Sequence, residues 1–93
     1  MEDNYKNIYA VVDEDAIKNN YGRPVDRTDV LYNLMPRKSY KVKGINIGQS
    51  WSSFEIEDFD SLKFNTILFK FYDGEKEIEI FADTRFNPYL HAK

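Results

Sequence analysis

Cysteine is absent from the 93-residue chain, and the only histidine is His91. The missing thiols exclude disulfide bonds and thiolate zinc sites, and one imidazole near the carboxyl end makes a nucleophile–histidine–acid triad hard to build. The longest uncharged run, residues 44–54, is polar, so we expect no membrane-spanning segment. The first residues, MEDNYKN, lack the basic and apolar regions of a secretory signal. These absences favour a non-enzymatic cytoplasmic protein without a cofactor or a metal.

Aromatic residues, in contrast, are abundant. Seven phenylalanines, seven tyrosines and one tryptophan make up 16% of the chain, and hydrophobic residues make up 42%. This is enough apolar surface for one core in a chain of this length, and the rings must supply much of it. We therefore expect a single α+β domain over residues 1–83, followed by a C-terminal tail over residues 84–93.

The segment 64–83, FNTILFKFYDGEKEIEIFAD, predicts a C-terminal β-hairpin. Asp73-Gly74 lies between two β-rich runs, and Asp-Gly is a strong hairpin signal because both central positions of a type I′ turn need a positive φ. With these two residues as the whole loop, Phe69 faces Ile78 and the apolar side chains, including Ile67, share one face. A loop longer by two residues would preserve that face.

Two short helices are predicted before the sheet-forming half of the chain. Asp13 is a suitable N-cap for a helix over residues 14–21, and Asp26 for a helix over residues 27–35 that Pro36 ends. The apolar spacing of the second helix predicts that it buries Val30, Leu31, Leu34 and Met35.

The remaining segments predict strands. Residues 7–12 favour a strand, and a β-bulge or bend is expected at Gly44, where the apolar positions change parity. The resulting fold class is α+β, with an antiparallel sheet of four to five strands, the C-terminal hairpin and two short helices. The alternative is a small five-stranded barrel of the SH3 or OB kind.

Phe54 and Ile56 alternate with Glu55 and Glu57, which is typical of a half-buried antiparallel strand. A solvated face is therefore favoured over a site for Mg²⁺ or Ca²⁺, and the carboxylates are free to contact another macromolecule. Trp51, in a polar connection, is compatible with an exposed anchor or with a core tryptophan whose N–H bonds a loop carbonyl. The predicted partner-binding residues are Trp51, Glu55, Glu57, Asp58, Asp60, Phe86 and Tyr89.

A basic stretch supports an alternative function. Arg37, Lys38, Lys41 and Lys43 fall within seven residues, with Tyr40 between them. Such a cluster can contact phosphates while the ring stacks on a base, as in a small nucleic-acid-binding accessory protein. The net charge of −3 favours a protein partner over nucleic acid.

The residue usage of KFNTILFKFYDGEKEIEIFADTRFNPYL resembles that of small accessory proteins encoded by phages and mobile elements of low-GC Gram-positive bacteria. The resemblance implies a small binder in the cytoplasm of the bacterial host, for example an inhibitor of a defence enzyme such as an anti-CRISPR protein. Its partner would be a host nuclease or defence complex. A homodimer through a hairpin edge or the tail is also compatible with the sequence.

Overall fold

The computed structural model describes residues 4–59 and 61–91, with side chains described as far as Leu90. The strands are β1 (Ile8–Val12), β2 (Tyr40–Ile47), β3 (Ser52–Ile56), β4 (Phe64–Asn65), β5 (Phe69–Asp73) and β6 (Lys76–Ile78). The α-helices are α1 (Glu14–Lys18) and α2 (Pro24–Asn33), and 3₁₀ turns lie at Thr66–Leu68, Ile80–Ala82 and Pro88–His91.

The strands form one antiparallel sheet in the order β4-β3-β2-β1-β5-β6. The α+β prediction is confirmed, with one strand more than the upper expected number. Because the order begins with β4 and ends with β6, the described part of the chain forms an open six-stranded sheet rather than the five-stranded barrel of the alternative. No helix within the described ranges is long and apolar enough to cross a membrane.

Phenylalanine rings form the centre of the core, as the composition predicts. Phe54 is 1% exposed. Its ring centroid lies 4.5 Å from that of Phe69, 4.9 Å from that of Phe71 and 6.1 Å from that of Phe64. The rings meet at edge-to-face or tilted angles, which are the favoured arrangements of aromatic pairs. The helices pack Ala16, Val30 and Leu34 against the same cluster.

The two helices begin with different hydrogen-bond arrangements. Asp13 accepts hydrogen bonds from the backbone N–H groups of Asp15 and Ala16 at 3.1 and 3.2 Å, so the predicted cap of α1 is confirmed. The helix ends at Lys18, so its predicted end at residue 21 is wrong. The second prediction is wrong in detail, because α2 begins at Pro24, a residue suited to the first helical position. Asp26 lies inside the helix, and its carboxylate accepts from the N–H of Arg23 at 3.1 Å.

The buried face of α2 is narrower than its apolar spacing predicts. Val30 and Leu34 are 1% and 5% exposed, whereas Leu31 and Met35 are 60% and 66% exposed. The helix ends at Asn33, two residues before the predicted end, so Leu34 and Met35 lie beyond it. Within the helix, Leu31 lies about 100° around the axis from Val30 and is therefore exposed. This part of the prediction is wrong.

The predicted hairpin is formed by β5 and β6, but in a shifted register. Phe71 faces Ile78 and Asp73 faces Lys76, so the turn residues are Gly74 and Glu75. Gly74 has a φ of +63° at the first central position, as in a type II′ turn, and its N–H donates to the carbonyl of Asn7 at 2.8 Å. The shift is two residues, so Phe71 remains on the core side.

The conformation of Gly74 leads to a stability prediction. Gly74→Ala should lower the free energy of unfolding by about 1–2 kcal/mol, because a side chain in the left-handed region clashes with the following carbonyl. Gly44→Ala is the matched control, since a Cβ there would meet nothing within 4 Å and its φ lies outside that region. Urea unfolding of both variants checks this, and equal stabilities would contradict the prediction.

The bulge expected at Gly44 and the place of the C-terminal segment can both be read from the structure. The register shifts between Val42 and Gly44, which confirms the bulge. The C-terminal segment folds back on the body, where the ring of Phe86 lies 5.4 Å from that of Tyr5. Arg85 forms ion pairs with Asp83 at 2.8 Å and Asp73 at 3.1 Å, and these contacts hold the segment in place.

Candidate functional site

An open groove of about 560 Å³ lies where the β2–β3 turn, the segment after β4 and the C-terminal segment meet. Four large apolar side chains line it, and each is only about half covered: Trp51 (45% exposed), Ile67 (47%), Phe81 (43%) and Tyr89 (47%). We call this surface the apolar groove. Its volume is in the range of ligand clefts, about 300–1,000 Å³, and exposed apolar patches of this kind mark interaction sites.

Two 3₁₀ turns place Ile67 and Phe81 in the apolar groove. The side chain of Asn65 accepts from the N–H of Ile67 at 3.1 Å, and that of Glu79 accepts from the N–H of Phe81 at 3.3 Å. These bonds interrupt the strands and turn the two apolar side chains outward. Strand alternation predicts Ile67 on the buried face, so that expectation is wrong. An Asn side chain that bonds the backbone two residues ahead is a recognisable turn signal.

Trp51 ends the tight turn between β2 and β3. A Cβ on Gly48 would lie 2.5 Å from the carbonyl oxygen of Trp51, so the turn can close only around a glycine. The hydroxyl of Ser52 accepts from the N–H of Gly48 at 3.1 Å. The closed turn fixes the backbone of Trp51. Of the two alternatives for this residue, an exposed anchor and a core tryptophan, the structure shows the exposed side chain.

Asn87 links two of the residues that line the apolar groove. Its amide nitrogen donates to the carbonyl of Phe81 at 2.7 Å, and its amide oxygen accepts from the N–H of Tyr89 at 3.0 Å. The positions of Phe81 and Tyr89 are therefore coupled through one side chain. A wall held in this way loses little conformational entropy when it is covered.

A buried carboxylate lies behind the groove. Asp26 is 7% exposed and accepts four hydrogen bonds, from the N–H, Nε and Nη2 of Arg23 at 3.1, 3.1 and 3.0 Å and from Nδ2 of Asn65 at 3.1 Å. The guanidinium carbon of Arg23 lies 5.8 Å from the ring centroid of Trp51, within cation–π range. We call Asp26, Arg23 and Asn65 the Asp26 clamp.

The clamp changes the acidity of its carboxylate. Burial alone raises the pKa of Asp26, but the hydrogen bonds from Arg23 and Asn65 outweigh it, so the pKa lies below its ordinary value. Asp26 is therefore ionised at neutral pH and holds the start of α2 against β4. Through Arg23 the same carboxylate fixes one edge of the apolar groove.

The predicted acidic residues lie away from this groove. Phe54 and Ile56 are buried while Glu55 is half-buried and Glu57 exposed, which confirms the alternation. Glu57 is six residues from Trp51, about 20 Å along an extended strand. Asp58 is exposed in the turn that follows, and Asp60 lies outside the described residues. Their role in partner binding stays a prediction. Within the described ranges, no group of three or more His, Cys, Asp or Glu side chains is placed to hold a metal ion.

The two tail aromatics have different environments. Tyr89 lines the apolar groove, and its role in partner binding stays a prediction. Phe86 is only 5% exposed and belongs to the core, because it packs on Tyr5 while Arg85 lies 4.9 Å above its ring. Phe86 is therefore removed from the predicted contact surface.

The basic stretch does not surround an exposed ring. Tyr40 is 3% exposed and its hydroxyl accepts from the N–H of Met35 at 2.7 Å, so it is not available to stack on a base. Lys41 donates to the carbonyl of Tyr5. The Nζ of Lys38 lies 5.2 Å from the ring centroid of the buried Tyr40. The Nε of Arg37 lies 3.5 Å from a carboxylate oxygen of Glu14, and Lys43 is exposed. The predicted stacking role of Tyr40 is wrong.

Comparisons with known proteins bear on the origin of the chain. The protein family described as Bacteriophage T4 protein Y07B matches residues 7–92, which include all six strands, both helices and the whole apolar groove. No curated protein and no solved structure matches the chain. The family description supports the phage part of the expected resemblance and names no anti-defence activity. The chain belongs to the bacteriophage T4 protein Y07B family.

Proposed function

We propose that the chain is a non-enzymatic protein-binding domain of a phage, which takes an apolar segment of a partner protein into the apolar groove. The observation that supports this most is the convergence of Trp51, Ile67, Phe81 and Tyr89, from separate segments, on one concave surface. Tryptophan and tyrosine are enriched among the residues that supply most of the binding energy at interfaces. The capped turns hold these side chains before the partner arrives, which lowers the entropic cost of association.

The capture of a partner from a lysate of the bacterial host tests this function. We expect Trp51→Ala and Phe81→Ala to weaken capture about 30-fold, because removing one such anchor costs about 2 kcal/mol. Tyr32→Ala is the matched control, since Tyr32 is 87% exposed on α2 and does not line the groove. A protein retained by wild type and Tyr32→Ala, but lost from both groove variants, supports the proposal. Equal capture by all four proteins, or no capture at all, contradicts it.

The acidic run is a second candidate contact for the same partner. Charge reversal of Glu55, Glu57, Asp58 and Asp60 belongs in the same capture experiment. A partner that spans both surfaces would be lost from this variant as well, whereas a partner confined to the groove would be retained. The comparison therefore measures how far the contact extends along β3.

The proposed partner is a host nuclease or defence complex, and the proposed effect is inhibition. Phage membership supports a role directed at the host, and the resemblance to anti-defence accessory proteins supports the choice of target. The identity of the protein captured through the groove decides this point. A host protein without any part in defence would limit the function to binding.

A further inference from the structure

Arg23 lies at the edge of the apolar groove, beside the Trp51 ring, with its side chain 63% exposed. Its Nε and Nη2 both donate to Asp26. Its third guanidinium nitrogen, Nη1, has no hydrogen-bond acceptor among the described residues. Asp26 thus holds one side of the guanidinium, while the donors of Nη1 are not used within the described part of the chain.

The chemistry of guanidinium makes this arrangement informative. The planar group presents two pairs of parallel N–H donors, Nε with Nη2 and Nη1 with Nη2, and each pair matches the two oxygens of a carboxylate. Asp26 occupies the first pair. The second pair lies on a different edge of the same rigid plane, so it faces away from Asp26.

The Asp26 clamp also prepares Arg23 for a second ligand. Because two hydrogen bonds to Asp26 already fix the side chain, a further contact requires little additional ordering. The hydrogen bonds and the charge of Asp26 raise the pKa of Arg23, so its guanidinium is charged at every physiological pH. Asp26 and the nearby Asp29 offset the charge of Arg23 at long range. Arg23 therefore attracts a negatively charged ligand only at contact distance.

We propose that the second donor pair of Arg23 binds an aspartate or glutamate side chain of the partner segment, next to the apolar side chain that enters the groove beside Trp51. This inference rests on the proposed function, because it assumes that the groove is occupied by a partner. We choose a carboxylate because its negative charge complements the arginine, which lies beside a tryptophan anchor.

A library of random short peptides tests the chemistry directly. The peptides are displayed with their carboxyl ends fused to the display protein, so the library contributes carboxylates only through Asp and Glu. Selection on the wild-type chain should enrich peptides in which an aromatic or aliphatic residue stands near an Asp or Glu. Enriched peptides without acidic residues would overturn the inference.

A double-mutant cycle then locates the contact. The best peptide and its Asp→Asn or Glu→Gln form are measured against wild type and against the Arg23→Gln/Asp26→Asn double variant, which leaves no buried carboxylate unpaired. Wild type should bind the neutral peptide about tenfold more weakly, and the double variant should bind both peptides equally. Equal binding of both peptides by wild type would overturn the inference, as would the same loss in the double variant.

Two more variants separate the possible failures. Arg23→Lys keeps a cation for Asp26 but has no second donor pair, so it should also lose most of the preference for the acidic peptide. Trp51→Ala should weaken both peptides alike. If binding depends on Trp51 and not on the carboxylate, only the inference about Arg23 fails. If no selected peptide depends on Trp51, the proposed function fails as well.

Discussion

Phe54→Ala should lower the free energy of unfolding by about 3–5 kcal/mol, because it removes a buried ring and leaves a cavity. Phe54 is 1% exposed and touches three other phenylalanines, Phe64 on β4 and Phe69 and Phe71 on β5. No single neighbour can fill the space. Since a domain of this kind is stable by about 5–15 kcal/mol, the substitution removes a large part of its stability.

Phe81→Ala is the control for this substitution. The same chemical change at a ring that is 43% exposed in the apolar groove should cost well under half as much. Urea unfolding followed by circular dichroism measures both values. Similar losses for Phe54→Ala and Phe81→Ala would contradict the assignment of one ring to the core and the other to a binding surface.

Asp26→Ala should lower the free energy of unfolding by about 2–3 kcal/mol, because it removes a buried carboxylate that accepts hydrogen bonds from a charged donor. The loss includes the connection between the start of α2 and Asn65. Asp29→Ala, an exposed carboxylate on the same helix, is the matched control and should change stability by less than about 0.5 kcal/mol.

The effect of Asp26→Ala should also depend on pH. The pKa of Asp26 in the folded chain lies below its value in the unfolded chain. Its contribution is therefore complete above the unfolded value, about 3.9, and is lost as the pH falls through the folded value. The stability difference between wild type and Asp26→Ala should be constant near neutral pH and shrink below about pH 4. A difference that grows on acidification would contradict the clamp.

The hairpin illustrates what local pattern can predict. Alternation on both sides of Asp73-Gly74 predicts two paired strands and the face that each buries. It does not predict the register, because the contacts at the turn include the hydrogen bond from the N–H of Gly74 to the carbonyl of Asn7, more than sixty residues away in sequence. At the turn Gly74 has a positive φ and Asp73 does not. The two turn residues are therefore Gly74 and Glu75 rather than Asp73 and Gly74.

For a similar reason, only part of the apolar groove could be predicted from the sequence. Trp51 and Tyr89 stand out in the sequence because they are large rings in polar or irregular segments. Ile67 and Phe81 occur within strand-like alternation and look like core residues, until the side chains of Asn65 and Glu79 bend the backbone into 3₁₀ turns. The sequence shows which side chains can compete with strand hydrogen bonds in this way. It does not show which of the two hydrogen bonds forms, because that depends on packing.

Exposure of individual rings is the least predictable property. Tyr40 resembles a contact residue because it lies within a basic stretch, and Phe86 because it lies in a tail without strand or helix period. Both rings belong to the core, where the hydroxyl of Tyr40 accepts from the N–H of Met35 and the ring of Phe86 packs on that of Tyr5. A short window contains Met35 and Tyr40 but does not show that they bond, and it cannot contain Tyr5 together with Phe86.

Trp51 is the only tryptophan in the chain, so its fluorescence reports on one wall of the apolar groove without labelling. The most direct measurement is the quenching of this fluorescence by acrylamide, with and without a saturating amount of the captured partner. If the groove is the contact site, the ring that is 45% exposed in the free chain becomes covered, and quenching should fall severalfold. Quenching that is unchanged while the partner is fully bound would place the contact elsewhere on the molecule.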